Sequence, residues 1–259
     1  MSESTRLESL LRRDRWIVGG VLAVTILICW AWIVPMGRDM YGAMTGPSAW
    51  MMTNRWDASY TTLIFAMWVV MMAGMMLPSA APVLLLYARV IRKSPAGDRT
   101  QLHVHAFAAG YVLIWTGFSL LATLLQWGLT RQEWMTPMME ASGDRVMAVI
   151  FLLAGVYQLT PWKRTCLNAC RSPVEFLSRY WKAGPAGGFA LGVANGLFCL
   201  GCCWAIMLLL FAGGVMNLWW IFGITGFVLL EKIMPLGRQA AVVSGVFLLI
   251  AAVWLVLRL

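Results

Sequence analysis

Seven long runs of apolar residues alternate with short polar segments along the chain. Each run is close to the roughly 20 residues that an α-helix needs to cross a hydrocarbon core about 30 Å thick. Because the runs are continuously apolar, they predict helices rather than the alternating strands of a barrel. The predicted spans are residues 16–34, 61–88, 103–127, 145–162, 189–212, 218–234 and 240–257. This pattern predicts an all-α, polytopic helical membrane protein with about seven transmembrane helices.

The composition supports the same interpretation. Hydrophobic residues make up 61% of the chain and charged residues only 12%, whereas about a quarter of the residues of a soluble domain are charged. The first apolar run follows Arg12, Arg13 and Arg15 and is too long for an ordinary signal peptide, so we expect it to remain as a signal anchor. We predict a single integral membrane domain over residues 1–259, with a short cytoplasmic segment at 1–15.

The distribution of basic residues predicts the orientation. With the N-terminus in the cytoplasm, 15 of the 20 lysines and arginines fall in the inner segments, as the retention of basic residues on the cytoplasmic side requires. The C-terminus is then outside. Inner loops that rest on anionic headgroups account for the net charge of +9. The lipid bilayer is therefore the expected partner of this charge, and nucleic acid is not.

Methionines are concentrated in the second apolar run. Met67, Met71 and Met75 fall on one stripe of a helix, with Met72 and Met76 beside it. Thioethers are soft ligands that suit Cu(I), although methionine also serves as a flexible packing residue. Further methionines occur in the outer segments, at Met36, Met40, Met44, Met51, Met52, Met135, Met138 and Met139.

Cysteine gives the second chemical signal. Cys166 and Cys170 form a C-x3-C pair, and Cys199, Cys202 and Cys203 form a C-x2-C-C cluster in the fifth run. On a helix, residues three or four positions apart share a face, so each group can converge on one ion. Metal binding, inert packing and dithiol redox chemistry all remain open. The spacing is looser than that of paired zinc motifs.

Other polar residues give weaker signals. Glu231 lies in the sixth run beside Lys232, where a local ion pair or snorkelling to the boundary is expected to relieve the cost of burial. His103 and His105 begin the third run and share a helical face poorly. No catalytic motif of the common hydrolase, nucleotide-binding or metalloprotease types is present. Enzyme activity is therefore not predicted.

Three segments of the chain carry a family resemblance. They are MWVVMMAGMMLPSAAP, YQLTPWKRTCLNACRSP and NGLFCLGCCWAIMLLLFAGGVMNLWW. They resemble a bacterial domain-of-unknown-function family described as predicted metal-binding integral membrane proteins, over most of the chain from about Thr61. The resemblance implies a multi-pass protein of the bacterial inner membrane with a metal site. Its motif positions here are Met71, Met72, Met75, Met76, Pro78, Lys163, Cys166, Cys170, Cys199, Cys202 and Cys203.

Soft sulfur ligands favour copper as the ion, with zinc and iron as alternatives. The leading hypothesis is a protein that handles Cu(I), by transport across the inner membrane or by delivery within it to a membrane or periplasmic copper protein. One alternative is a membrane thiol-disulfide oxidoreductase. Another is a non-catalytic subunit of a larger complex that docks through small residues, at Gly192, Gly196, Gly213, Gly214, Gly223 and Gly226. The sequence does not fix the metal, the direction of movement or the oligomeric state.

Overall fold

A computed structural model describes residues 3–46, 48–51, 55–234 and 237–259. Met52 and the first two residues of the predicted cytoplasmic segment lie outside the described residues. The elements are helices, with one isolated bridge between Met135 and Ala141 and a 3-10 turn at Gly97–Arg99. They are α1 (Glu3–Met40), α2 (Ser48–Met51), α3 (Ala58–Arg92), α4 (Thr100–Arg131), α5 (Asp144–Leu159), α6 (Pro161–Arg171), α7 (Pro173–Tyr180), α8 (Gly184–Met207), α9 (Leu209–Gly213), α10 (Leu218–Ile233) and α11 (Gly237–Val256).

Among the residues that the structure describes, five helical segments are long and apolar enough to cross a membrane, fewer than the seven expected from the sequence. They are Trp16–Met40, Ala58–Arg92, Gly97–Arg131, Gly184–Gly213 and Gly237–Val256. A sixth span is possible if α5 and α6, which are bent by 65° at Thr160, count as one. The other predicted span corresponds to α10, whose 16 residues extend only about 24 Å. The structure therefore confirms an all-helical chain but gives five or six spans by length.

The bundle exposes many large apolar side chains and buries several polar ones beside its apolar core. Leu121, Phe247 and Ile250 are more than 60% exposed, whereas a set of polar and charged side chains is almost completely buried. This set comprises Gln126, Gln158, Asn195, Lys163 and Glu231. Large contiguous apolar surfaces are uncommon on soluble monomers. This arrangement fits helices that are long and apolar enough to cross a membrane, because polar groups in a bilayer must find partners within the protein.

Helices α4 and α8 run parallel and in close contact. A Cβ added at Gly188 would lie 3.0 Å from the backbone oxygen of His103, and one at Gly192 would lie 1.9 Å from that of Phe107. The contacting residues advance in the same direction along α4 and α8, so the two helices are parallel. The chain that connects the end of α4 to the start of α8 must therefore run back along the length of α4. The bent pair α5 and α6 is part of this connection.

The glycines proposed for docking have different surroundings. Gly192 and Gly196 meet α4 of the same chain, which leaves no room there for a partner helix. Gly213 lies against the Trp220 ring, also within the chain. At Gly223 and Gly226, in contrast, an added Cβ would have no described atom within 4 Å outside its own stretch of helix. The close approach of helices at the first three glycines is therefore a feature of internal packing.

Candidate metal centre

The cysteines predicted to act together meet in the interior of the bundle. All six cysteines of the chain are free thiols. Cys202 Sγ on α8 lies 3.9 Å from Cys170 Sγ on α6. The next residue, Cys203, has its Sγ 4.0 Å from Met76 Sδ on α3. The structure thus brings together sulfur atoms from three helices that are far apart in sequence.

The helical backbone of α8 places its three cysteines on adjoining faces. Cys202 and Cys203 each donate a hydrogen bond to the Cys199 carbonyl, at 3.1 Å and 2.8 Å. All three side chains are at most 2% exposed. The Cys203 side chain is also close enough to interact electrostatically with Cys199 and Cys202. We call Met76, Cys170, Cys199, Cys202 and Cys203 the sulfur cluster.

Cys166 is the one predicted cysteine at the edge of this cluster. It lies on α6, against the backbone of α8, where a Cβ at Gly201 would be 2.7 Å from Cys166 Sγ. The glycine at this position allows α6 to approach closely. Tyr157 reinforces the contact by donating a hydrogen bond to the Gly201 carbonyl. Cys166 also lies within electrostatic range of Cys202.

The spacing of the sulfur atoms fits a soft metal ion. Two sulfur ligands of one ion, with metal–sulfur bonds of about 2.3 Å, lie at most about 4.6 Å apart. The two observed separations, 3.9 Å and 4.0 Å, are within this limit. Among the described residues, however, no three Cys, His, Asp or Glu side chains form a complete metal-binding group. The cysteines and Met76 therefore offer paired sulfur ligands, which suits an ion of low coordination number.

The predicted methionine stripe lies inside the protein, and one end of it reaches the cluster. Its five members, Met67, Met71, Met72, Met75 and Met76, all have side chains that are 0% exposed. The contact between the stripe and the cysteines is made by Met76. Met67 is nine residues earlier on α3, which places it about 13 Å away along the helix axis. The stripe thus runs from the sulfur cluster toward the N-terminal end of α3.

Cys199 has a cationic neighbour that the sequence did not reveal. Lys232 on α10 donates from Nζ to Cys199 Sγ at 2.8 Å and to Ser79 Oγ at 3.0 Å. The Tyr111 hydroxyl lies 3.0 Å from Cys199 Sγ and also donates to the Met76 carbonyl. Three helices, α3, α4 and α10, thus contribute polar atoms around one thiol of α8. An ammonium here stabilises negative charge on sulfur, as a nearby lysine does for reactive thiols elsewhere.

A second buried network lies beside the cluster. The Lys163 ammonium of α6 donates to both oxygens of Glu231, at 2.9 Å and 2.8 Å. Gln158 joins α5 to this pair with bonds from Nε2 to Glu231 at 3.2 Å and to Ser244 at 2.8 Å. The expected local ion pair between Glu231 and Lys232 is therefore wrong. Adjacent residues of a helix point in different directions, so Glu231 and Lys232 face different partners.

The two histidines lie apart from this centre. His103 and His105 each form a hydrogen bond from Nδ1 to the carbonyl four residues earlier, those of Arg99 and Gln101, at 2.9 Å and 2.7 Å. His103 is buried and His105 is exposed. These ring hydrogen bonds tie both side chains to their own helix rather than to the sulfur cluster.

A comparison with protein families connects the chain to copper. A family model named PpoB2 and described as copper chaperone matches residues 65–255, which is more than half of the chain. The protein belongs to this copper-chaperone family. No curated protein and no solved structure matches the chain. The residues matched by the family model include the sulfur cluster, Lys163, Glu231 and Lys232. The candidate centre therefore lies within the part of the chain that matches the copper-chaperone family.

The structure adds three groups to the predicted site residues: Lys232, Tyr111 and Ser79. Lysine or tyrosine in an apolar segment gives only a general signal, namely that an intramembrane polar residue needs a partner. That signal is present at Lys232. Its partner could not be identified from the sequence, because Cys199 is 33 positions away on another helix.

Met76 provides a direct test of thioether ligation in this copper-chaperone family member. Met76→Leu is expected to weaken Cu(I) binding about tenfold, because it removes the thioether sulfur that contacts Cys203. Met67→Leu is the matched control and should change Cu(I) affinity less than about twofold. Both changes nearly conserve volume, so both proteins should fold. Competition with a colorimetric Cu(I) chelator measures the affinities. Equal affinities of the two variants would exclude Met76 as a ligand.

Proposed function

We propose that this protein binds Cu(I) within the membrane and delivers it to another copper protein. Its membership of a copper-chaperone family supports a copper-related role. The observation that carries the proposal is the meeting of two sulfur pairs, Cys170 with Cys202 and Met76 with Cys203, at separations of 3.9 Å and 4.0 Å in the buried core. Thiolates and thioethers are the ligands that Cu(I) prefers.

The order of the ligands suggests a route for the ion. Cu(I) enters along the methionine stripe of α3, where weak thioether ligands allow it to move between neighbouring residues. At Met76 it meets Cys203, and it then passes to Cys202 and to Cys170 by exchange of one ligand at a time. Cys202 and Cys203 are adjacent on α8, so the two sulfur pairs adjoin. Cys166 lies next to the last pair and is proposed as an exit ligand.

We further propose a location for the protein in the bacterial inner membrane, with the N-terminus in the cytoplasm and about seven crossings. The parallel arrangement of α4 and α8 supports a return crossing by α5 with α6. The stacking of Trp30 on Phe222 and the contact of Gly37 with Leu218 support an antiparallel arrangement of α1 and α10. The short α10 would then cross by local thinning of the bilayer, which costs only a fraction of a kcal/mol per Å. The recipient is proposed to be a copper protein of the same membrane, and a periplasmic recipient would require the ion to move along this route in the reverse direction.

Proteoliposomes test delivery against transport. Purified protein is reconstituted in vesicles that contain a Cu(I)-chelating dye, and a Cu(I)–glutathione complex is added outside. The proposal predicts about one copper per chain retained on the vesicles after gel filtration, with little colour in the lumen. A variant with Cys166, Cys170, Cys199, Cys202 and Cys203 all changed to serine should retain none. Lumenal dye signal far above one copper per chain would show transport instead, and copper-free wild-type vesicles would exclude both roles.

A thiol-disulfide oxidoreductase is the second candidate, because Cys170 Sγ and Cys202 Sγ are 3.9 Å apart. In this reaction the two thiols would transfer two electrons and two protons to a disulfide-bonded substrate, which would become two thiols as Cys170 and Cys202 became a disulfide. Alkylation of thiols in intact membranes, followed by mass spectrometry, decides between the two candidates. A Cys170–Cys202 disulfide that forms and is reduced as the redox state changes would favour the oxidoreductase. Free thiols under all conditions would exclude it.

A further inference from the structure

The charge of Lys232 is unusual because its closest partner is a sulfur atom. The residue is 8% exposed, and its Nζ lies 2.8 Å from Cys199 Sγ and 3.0 Å from Ser79 Oγ. The neighbouring carboxylate, Glu231, is bound at both oxygens by Lys163 instead. A buried ammonium without a counter-charge is costly. In this protein, the available counter-charge is on the cysteines of α8.

The charge balance of the cluster then depends on the ion. Metal binding requires thiolates, so each cysteine that ligates an ion loses its proton. Two thiolates and the Lys232 ammonium together carry one negative charge, and a monovalent cation brings the sum to zero. A divalent cation would leave one positive charge in the buried core. A third thiolate would restore neutrality, but among the described residues three such ligands do not converge on one point.

We propose that Lys232 makes this centre selective for soft monovalent cations over soft divalent ones. The inference rests on the function proposed above and deepens it, since it identifies the class of ion that the cluster accepts. Cys170 and Cys202 are the pair that supplies two thiolates. Lys232 lies within electrostatic range of both, so its charge acts on the pair that holds the ion. It is a positioning and selectivity residue, because it does not itself bind the metal.

Silver(I) and cadmium(II) are suitable probes. Both are soft ions with filled d shells, they differ by one unit of charge, and neither needs a reductant. Purified full-length protein is mixed with each ion, and with both together, then desalted and analysed by mass spectrometry for metal content. The wild type is expected to hold about one silver per chain and to prefer silver over cadmium by at least about 30-fold.

Lys232→Gln should lower this preference at least about tenfold, with weaker silver binding and stronger cadmium binding. Lys93→Gln, the same change at an exposed lysine, should leave the preference unaltered. Lys232→Arg retains the charge and should keep the preference within about threefold of the wild type. A purely structural role would lower the binding of both ions together without changing their ratio, and that result would overturn the proposal.

The wild type alone can overturn the proposal, and this outcome does not depend on the folding of a variant. Because thiolates bind silver more tightly than cadmium in general, a silver preference supports the role of Lys232 only together with the lower preference of Lys232→Gln. Equal affinities of the wild type for silver and cadmium would overturn the selectivity proposal while leaving the copper function intact. Failure of the wild type to bind silver, cadmium or Cu(I) would instead show that the proposed function itself is wrong.

Discussion

Changing Cys202 and Cys203 together to serine is expected to abolish stoichiometric Cu(I) binding. These residues supply one sulfur atom to each of the two pairs, with Cys170 and with Met76. A serine hydroxyl is a hard oxygen ligand that binds Cu(I) poorly. The expected copper content of the purified double variant after anaerobic loading is below about 0.1 per chain, against about one for the wild type.

Cys29→Ser is the matched control for this loss. Cys29 is also a buried thiol, but it lies on α1 and packs near Gly74 rather than in the sulfur cluster. The Cys29→Ser variant should therefore keep its copper. Full copper binding by the double variant, together with a native elution profile, would show that the ion is bound elsewhere.

Replacing Glu231 by Gln is expected to lower the free energy of unfolding by about 3–5 kcal/mol, the typical cost of removing one partner of a buried ion pair. The side chains of Lys163 and Glu231 are only 1% and 2% exposed, so the variant leaves an uncompensated ammonium in the core. The unfolding temperature in detergent should fall accordingly. Glu175→Gln, the same change at an exposed residue of α7, should have little effect.

The double variant Lys163→Met with Glu231→Leu separates the charge effect from packing. It removes both charges and keeps the site filled, so most of the lost stability should return. If the double variant is as unstable as Glu231→Gln alone, the ion pair is not the cause of the loss. Copper content measured on the same samples shows whether the network also influences the sulfur cluster.

The fold could be predicted well at the level of single helices. Each predicted span overlaps helical residues, although spans 145–162 and 189–212 extend across the breaks between α5 and α6 and between α8 and α9. The C-x2-C-C spacing indicated cysteines one helical turn apart, and in the structure Cys202 and Cys203 both donate to the Cys199 carbonyl. The number of spans could not be predicted, because α10 is short and the helix break at Thr160 turns the chain by 65°. Thr160 ends α5, and its side chain caps α6 by accepting from the Lys163 amide.

The tertiary contacts of the candidate centre could not be predicted from the sequence. The bend after α5 carries Cys170 to Cys202, and no local pattern encodes that distance. The same applies to Glu231 and Lys232, which are adjacent in sequence and bind Lys163 and Cys199 on different helices. The methionine stripe was visible as a helical pattern. Its contact with the cysteines at Met76 was not visible, because that contact joins α3 to α8 across the bundle.

X-ray absorption at the copper edge of the loaded wild-type protein shows directly which atoms bind the ion. We expect Cu(I) bound by two or three sulfur atoms at about 2.3 Å, with no nitrogen or oxygen ligand. We also expect that Met76→Leu reduces the number of sulfur ligands by one. A spectrum dominated by nitrogen or oxygen ligands would contradict the assignment of the copper site to the sulfur cluster.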